Sequence, residues 1–164
     1  MEQSVNLSRR SLLRGRAPTT PQPVRPPGAL AEPEFTGKCT TCDECVTACP
    51  EDIIFRGSGG YPEVDFRRGE CTFCMRCIDV CADGALSERT QPPWQLELRV
   101  LDSCLARRQV VCQTCADVCE AGAVRFVPQI GSVATPKVDQ DSCTGCGACI
   151  AACPENALEA IAHG

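Results

Sequence analysis

The sequence has few aromatic residues, a single histidine and no long apolar run. Aromatic residues make up 4% of its 164 residues, so few side chains are available to fill a large core. The only histidine, His163, lies next to the last residue, a position that argues against a histidine-based site. No stretch approaches the roughly 18 apolar residues of a membrane span. These shortages predict a protein with no membrane span that is stabilised by something other than a large apolar core.

An arginine pair near the start is not followed by apolar residues. The segment Ser8-Arg9-Arg10-Ser11-Leu12-Leu13 looks like the beginning of a twin-arginine export signal. Such a signal also needs an apolar stretch of roughly 7–15 residues before a cleavage site. Arg14, Gly15, Arg16 and a proline-rich run follow instead. We therefore expect a cytoplasmic protein, in which thiols stay reduced and bind metal rather than form disulfides.

Residues 1–31 differ from the rest of the chain in composition and charge. Prolines are frequent from residue 18 to residue 33, which favours an extended, solvated chain. This segment carries a net charge of +4, and because the whole chain carries −5, residues 32–164 carry −9. The pattern predicts a disordered, basic arm attached to an acidic folded part. The arm is either a tail that keeps the protein soluble or a docking segment for a partner.

The sequence contains 16 cysteines, and their spacing repeats. The spacing of Cys42, Cys45 and Cys49 recurs 70 residues later, and that of the run from Cys71 to Cys81 recurs 72 residues later. Self-similarity at a fixed period indicates a duplicated structural unit. We predict two such units, over residues 32–90 and 95–164, each with two cysteine motifs.

Three of the four motifs share one spacing, in which two, two and three residues separate successive cysteines. They are Cys39-Cys42-Cys45-Cys49, Cys71-Cys74-Cys77-Cys81 and Cys143-Cys146-Cys149-Cys153. In bacterial ferredoxins the first three thiolates of this run bind one [4Fe–4S] cluster and the fourth binds the neighbouring cluster. The predicted ligand sets are therefore crossed: Cys39, Cys42 and Cys45 with Cys81; Cys71, Cys74 and Cys77 with Cys49; and Cys143, Cys146 and Cys149 with Cys119. Structural zinc is the alternative, but it uses two cysteine pairs separated by a longer gap.

The remaining motif is irregular. Seven residues separate Cys104 from Cys112, after which Cys115 and Cys119 keep the usual spacing. A fourth cluster would use Cys104, Cys112, Cys115 and Cys153, so the sequence predicts three or four [4Fe–4S] clusters. The longer loop predicts an exposed and more labile site.

The pattern between the motifs predicts an α+β fold. Leu96, Leu98 and Val100 alternate with charged residues, which is typical of a half-buried strand. We expect two tandem bacterial-ferredoxin-like (βαββαβ) units built around clusters. No nucleotide-binding glycine motif follows a strand, and thiolates bound to iron are not available as nucleophiles. We predict no catalytic residue, no enzymatic activity and no nucleic-acid partner.

Taken together, these residues resemble the NapF family of ferredoxin-type proteins, which are accessory proteins of the periplasmic nitrate reductase system. The resemblance rests on the Ser8-Arg9-Arg10 start, the paired runs from Cys39 to Cys81, the cysteines Cys112 to Cys119, and the final Cys153-Pro154. It implies a cytoplasmic protein that binds the precursor of the catalytic, molybdenum-containing subunit before export. It further implies a role in maturing that subunit, by delivering electrons or by assisting insertion of its iron–sulfur cluster.

Two other functions fit the same motifs. One is a general electron-transfer ferredoxin, or an electron-transfer subunit of an oxidoreductase, with a redox donor protein as partner. The other is a binding module whose clusters are purely structural, although that role does not need this many redox centres.

Overall fold

The computed structural model describes residues 22–87, 94 and 96–162. Its helices and strands are short. In chain order they are α1 (Glu32–Lys38), α2 (Glu44–Ala48), β1 (Ile54–Arg56), a 3₁₀ turn (Ser58–Gly60), β2 (Pro62–Val64), α3 (Arg76–Asp79), β3 (Leu96–Val100), α4 (Thr114–Asp117), β4 (Val124–Gln129), β5 (Ser132–Val138), α5 (Ala148–Ala151) and β6 (Leu158–Ala162).

The strands pair into antiparallel ribbons. In the first half β1 pairs with β2, with Ile54 opposite Val64. In the second half β4 pairs with β5, and β3 pairs with β6 so that Val100 lies opposite Leu158. The predicted strand over residues 96–100 is confirmed. From β3 to β6 the elements follow one another as strand, helix, strand, strand, helix, strand.

The cysteine motifs surround the short helices. Each of α2, α3, α4 and α5 contains the third cysteine of a motif, and the fourth follows within a few residues of the helix end. These helices begin inside the motifs, just after the second cysteine of each. No helix in the described part of the chain is long and apolar enough to cross a membrane.

Residues 22–31 lie against the first half. The backbone N–H of Val64 donates to the carbonyl of Val24 (2.8 Å), and that of Leu30 donates to Ala85 (3.1 Å). Ala29 forms a bridge to Leu86. The prediction of an extended, solvated arm therefore does not extend to residues 22–31, because main-chain hydrogen bonds hold them. Residues 1–21 lie outside the described residues.

Arg25 anchors this segment through its guanidinium group. Its Nη2 and Nε donate to the carboxylate of Glu32 at 2.6 and 3.0 Å, and its Nη1 donates to the carbonyl of Pro62 at 3.1 Å. The same group lies 5.0 Å from the centroid of the Phe35 ring and 5.6 Å from that of Tyr61. Because the Arg25 side chain is only 11% exposed, these contacts are poorly screened by solvent.

The core is small and includes thiols. Its apolar side chains come from both halves and include Ile53, Ile54, Leu98, Val124 and Leu158. One cysteine from each motif is buried with them: Cys45, Cys77, Cys115 and Cys149. In place of a large aromatic core, which the composition argues against, the fold packs its apolar side chains around its cysteines.

We expect Arg25→Ala to lower the free energy of unfolding by roughly 2–4 kcal/mol, because Glu32 would keep a partly buried charge without its partner. Anaerobic guanidinium denaturation of the iron-loaded protein measures this. Arg99→Ala is the matched control, since Arg99 is 52% exposed and pairs with Glu97 on the surface; it should change stability by less than about 1 kcal/mol. Equal effects of the two substitutions would contradict the anchoring role of Arg25.

Candidate metal centres

All sixteen cysteines lie in the described ranges as free thiols, and they gather into four groups. Cys45 interacts with Cys39, Cys42 and Cys81, which we call site I. Cys49, Cys71, Cys74 and Cys77 form site II. Cys149 interacts with Cys119, Cys143 and Cys146, which form site III, and Cys115 interacts with Cys104, Cys112 and Cys153, which form site IV. The fold thus brings together the crossed sets that the spacing predicts.

Sites II, III and IV each form a cavity that is lined by all four of their thiols and opens to solvent. Including the open mouths, the cavity volumes are about 330, 460 and 370 Å³ respectively. The remaining lining is largely apolar, for example Ile53 and Ile54 at site II and Leu98 and Ile150 at site III. Across the described ranges, no three or more Cys, His, Asp or Glu side chains converge on a single-ion position. The thiols surround a space instead, which suits a multi-atom cluster with thiolate ligands.

The loops of sites I, II and III share an unusual backbone. The residues on either side of the second cysteine have positive φ: Thr41 and Asp43 at site I, Phe73 and Met75 at site II, and Gly145 and Gly147 at site III. In non-glycine residues this left-handed conformation costs roughly 1–2 kcal/mol each. Alternation of left-handed and right-handed residues turns successive backbone N–H groups to one side and forms an anion-binding concavity. An iron–sulfur cluster with its four thiolates is such an anion, so the strained loops fit it.

Arg56 holds the strained loop of site I from outside. This residue, at the end of β1, forms an ion pair with the carboxylate of Asp43. It also donates to the carbonyl of Thr41 at 3.3 Å. Both left-handed residues of the loop are therefore tied to the same strand.

Backbone N–H groups also reach thiols directly. The N–H of Leu86 donates to the Sγ of Cys81, and the N–H of Ala157 donates to the Sγ of Cys153, both at 3.3 Å. Hydrogen bonds to ligand sulfur stabilise the thiolate and tune the reduction potential of a bound cluster. The fourth cysteines of the second and fourth motifs are therefore oriented by the main chain.

Burial makes these thiols hard to ionise on their own. Burial, reinforced by neighbouring thiols, raises the pKa of Cys45 to about 11 and that of Cys77 to about 12. In the second half the same causes raise the pKa of Cys115 to about 11 and that of Cys149 to about 12. Four adjacent thiolates in such a place require positive charge among them, which iron supplies.

Site IV differs in its loop but not in its set of thiols. Gln113, which follows Cys112, has a φ of −133°, so the left-handed pair is missing here. The extra residues are exposed from Arg107 to Val111, as predicted, but Ala106 is fully buried. Ion pairs from Arg107 to Asp102 (3.1 Å) and from Arg108 to Glu155 (3.7 Å) hold the loop. Despite the longer spacing, site IV has a cavity of about the same size as that of site II.

Family models match both halves of the chain. A 4Fe-4S dicluster domain matches residues 38–85, and a 4Fe-4S binding domain matches residues 136–159. With four thiol sets, three of them around cavities, these matches define a ferredoxin-type protein with [4Fe–4S] clusters.

Similar proteins identify the family of the chain more closely than the domain matches do. The chain is 40% identical to the ferredoxin-type protein NapF of Escherichia coli K12 over 95% of both chains, and 42% identical to that of Haemophilus influenzae over 93% of both. It is also 32% identical to the methylamine utilization ferredoxin-type protein MauM of Methylophilus methylotrophus, over 88% of this chain and 72% of the relative. The chain belongs to the NapF family of ferredoxin-type proteins, as its motifs predicted. This is a family of electron-transfer or accessory proteins rather than a family of catalytic enzymes.

Some residues shape the sites although they contribute no thiol, and the sequence did not reveal them. Thr41, Asp43, Phe73 and Met75 adopt left-handed conformations that few residues of these types adopt, so composition offers no signal for them. Gly145 and Gly147 stand at the equivalent positions of site III, and a comparison between motifs is the one signal that could have revealed the pattern.

The crossed grouping predicts which site Cys49→Ala damages. Loss of this thiol should expose Cys71, Cys74 and Cys77 of site II and leave site I intact. Anaerobic alkylation of the loaded protein, mapped by mass spectrometry, should show new labelling of these three thiols.

Cys81→Ala is the matched control, and it should expose Cys39, Cys42 and Cys45 of site I instead. New labelling of Cys39, Cys42 and Cys45 in the Cys49→Ala variant would show that each motif keeps its own fourth ligand.

Proposed function

We propose that sites I, II, III and IV each bind one [4Fe–4S] cluster through their four cysteines. The observation that carries this is the convergence of sixteen thiols into four complete sets, three of them around a cavity. The regular loops support sites I to III most directly. Site IV is supported by its complete set of thiols and by its cavity, so we favour four clusters over three.

The chain contributes position, desolvation and hydrogen bonds to these sites. When bound, a [4Fe–4S] cluster takes up or releases one electron without making or breaking bonds to a substrate. The four thiols of each set would hold it, and the left-handed loops of sites I to III would direct N–H groups towards its negative charge. The apolar linings of sites II to IV would limit its contact with water. The surroundings differ from site to site, so we expect the four reduction potentials to differ.

We further propose that each half is a version of the βαββαβ unit, over residues 32–90 and 95–164. The element order from β3 to β6 supports this for the second half. In the first half, the bridge between Ala29 and Leu86 occupies the place that the β3–β6 pair has in the second. This comparison adds residues 22–30 to the folded part of the first half.

We infer a cytoplasmic accessory protein that helps to mature the catalytic subunit of periplasmic nitrate reductase before export. Membership of the NapF family supports this, because the resemblance implies a partner of that kind. The basic segment of residues 1–21 is well suited to contact an acidic surface of the precursor. A redox donor protein is the second partner that the proposal requires.

A general electron-transfer ferredoxin is the second candidate. It is favoured by the pairing of sites within each half: the buried thiol of Cys77 at site II interacts with Cys45 of site I, and Cys149 interacts with Cys115 in the same way. Neighbouring redox centres suit the passage of electrons and are not needed for binding alone.

We expect the anaerobically purified protein to contain about 16 iron atoms with matching sulfide, because each cluster contributes four. A content of about 12 would mean that site IV is empty, which Cys104→Ala tests, since that change would then leave the iron content unaltered. Zinc in place of iron, or fewer than about eight irons after anaerobic reconstitution, would refute the cluster proposal.

A maturation factor should bind the precursor of a molybdenum-containing nitrate reductase subunit and not its exported form. If the arm contributes, the affinity should fall with salt, because salt screens contacts between its arginine charges and an acidic partner. Binding at several salt concentrations measures this for the whole protein and for a variant that lacks residues 1–21. The deletion stops at residue 21 because residues 22–31 pack against the first half.

Charge substitutions distinguish the contribution of the arm arginines to binding from that of arginines elsewhere in the chain. Glutamine at the four arm arginines should weaken binding, whereas glutamine at four exposed arginines of the folded part should not. The arm positions are Arg9, Arg10, Arg14 and Arg16, and the control positions are Arg67, Arg68, Arg99 and Arg125. Full affinity without residues 1–21 would make the arm a passive tail. Efficient electron transfer to another redox protein without precursor binding would establish the electron-carrier function instead.

A further inference from the structure

An aromatic contact lies where the two halves of the chain meet, at Trp94 in the segment between them. The ring of Phe66, which follows β2 and is 4% exposed, lies edge-on to the ring of Trp94 at 5.7 Å between centroids. Phe73, in the loop of site II, lies 6.4 Å from Trp94. Trp94 is thus held between two rings of the first half.

The loop of site III approaches these rings so closely that only glycine fits. A Cβ atom on Gly147 would lie 2.0 Å from the Phe66 ring, and one on Gly145 would lie 2.6 Å from Nε1 of Trp94. Real Cβ atoms do not approach other atoms this closely. Sites I and II have Thr41, Asp43, Phe73 and Met75 at the equivalent left-handed positions. The glycines of site III therefore serve the contact between the halves as well as the local turn.

The same contact brings the loops of sites II and III together. The backbone N–H of Cys71 donates to the carbonyl of Cys146 at 2.7 Å. Cys71 belongs to site II and Cys146 to site III. This hydrogen bond therefore links the loops of the two sites directly. Within the halves, α2 of site I packs against α3 of site II, and α4 of site IV packs against α5 of site III.

We propose that the contact of Phe66, Trp94 and Gly147 joins the two pairs of sites into one continuous row, in the order I, II, III, IV. This rests on the proposed function, in which each site holds a cluster. Each step along the row moves one electron, so that one site is oxidised as its neighbour is reduced, and no bond or proton changes. A one-electron reductant feeds the row and a one-electron oxidant drains it. The chain would then be a single conductor and not two independent ferredoxins.

Electron paramagnetic resonance of the anaerobic, iron-loaded protein tests the row without any variant. Reduced clusters that are neighbours couple magnetically and broaden one another's signals. In a stepwise titration with dithionite, the wild type should show coupling beyond that within two separate pairs. A fully reduced wild type with full iron content whose spectrum is that of two uncoupled pairs would overturn the proposal.

Trp94→Ala tests the contact itself. It should keep the iron and sulfide content of the wild type and lose the coupling between sites II and III. Trp94→Phe, which keeps a ring between the halves, should retain the coupling, and so should Tyr61→Ala, which removes a ring beside Arg25. Unchanged coupling in a fully loaded Trp94→Ala protein would overturn the role of the contact.

The iron content and the magnetic coupling together distinguish a failure of the row from a failure of the proposed cluster sites. Missing iron and sulfide in the wild type would refute the cluster sites and the row with them, whereas full iron without coupling would refute the row alone. Should Trp94→Ala lose iron, Phe66→Leu makes the same comparison, because it keeps apolar volume but removes the ring that meets Trp94. Retained coupling in that variant would likewise overturn the role of the contact.

Discussion

The structure depends on the electrostatic problem of placing four thiols around one buried space. A single buried thiol resists ionisation, and each neighbouring thiolate adds repulsion. Bound iron reverses this balance, because it draws negative sulfur inwards and closes each loop around a common centre. The backbone concavities of sites I to III, the apolar linings of sites II to IV and the buried third cysteine of every motif all serve these positions.

Short secondary structure follows from that arrangement. Strands of three to seven residues and helices of four to seven residues bury too little apolar surface to fold by packing alone. Ile53, Leu98 and Leu158 pack beside buried cysteines rather than in a separate core. A protein built in this way can be small and poor in aromatic residues, because metal–ligand bonds replace part of the hydrophobic contribution. Most of its few aromatic rings lie where segments are held together: Phe35 and Tyr61 around Arg25, and Phe66, Phe73 and Trp94 where the halves meet.

Much of the candidate site could be read from spacing alone. The spacing from Cys39 to Cys49 and from Cys71 to Cys81 matches the bacterial ferredoxin run, in which the fourth thiol serves the neighbouring cluster, so crossed sets were predicted. The structure groups the thiols in that way, including Cys119 with site III across the irregular motif. The packing of residues 22–31 was not predicted, because prolines at that density usually indicate solvated chain. Only the contacts of Arg25 with Glu32 and Phe35 reveal why this segment is held.

The sequence by itself determined the chemistry: which cysteines belong together, that they suit iron rather than zinc, and which family the chain resembles. These properties are local, since ligand spacing and residue type decide them over a few positions. Only the tertiary structure decided how the two halves meet. The approach of Gly147 to Phe66 and the hydrogen bond from Cys71 to Cys146 join residues about 75–80 apart in the chain. Such long-range contacts depend on shape complementarity between finished surfaces, and no periodicity or motif in the chain encodes them.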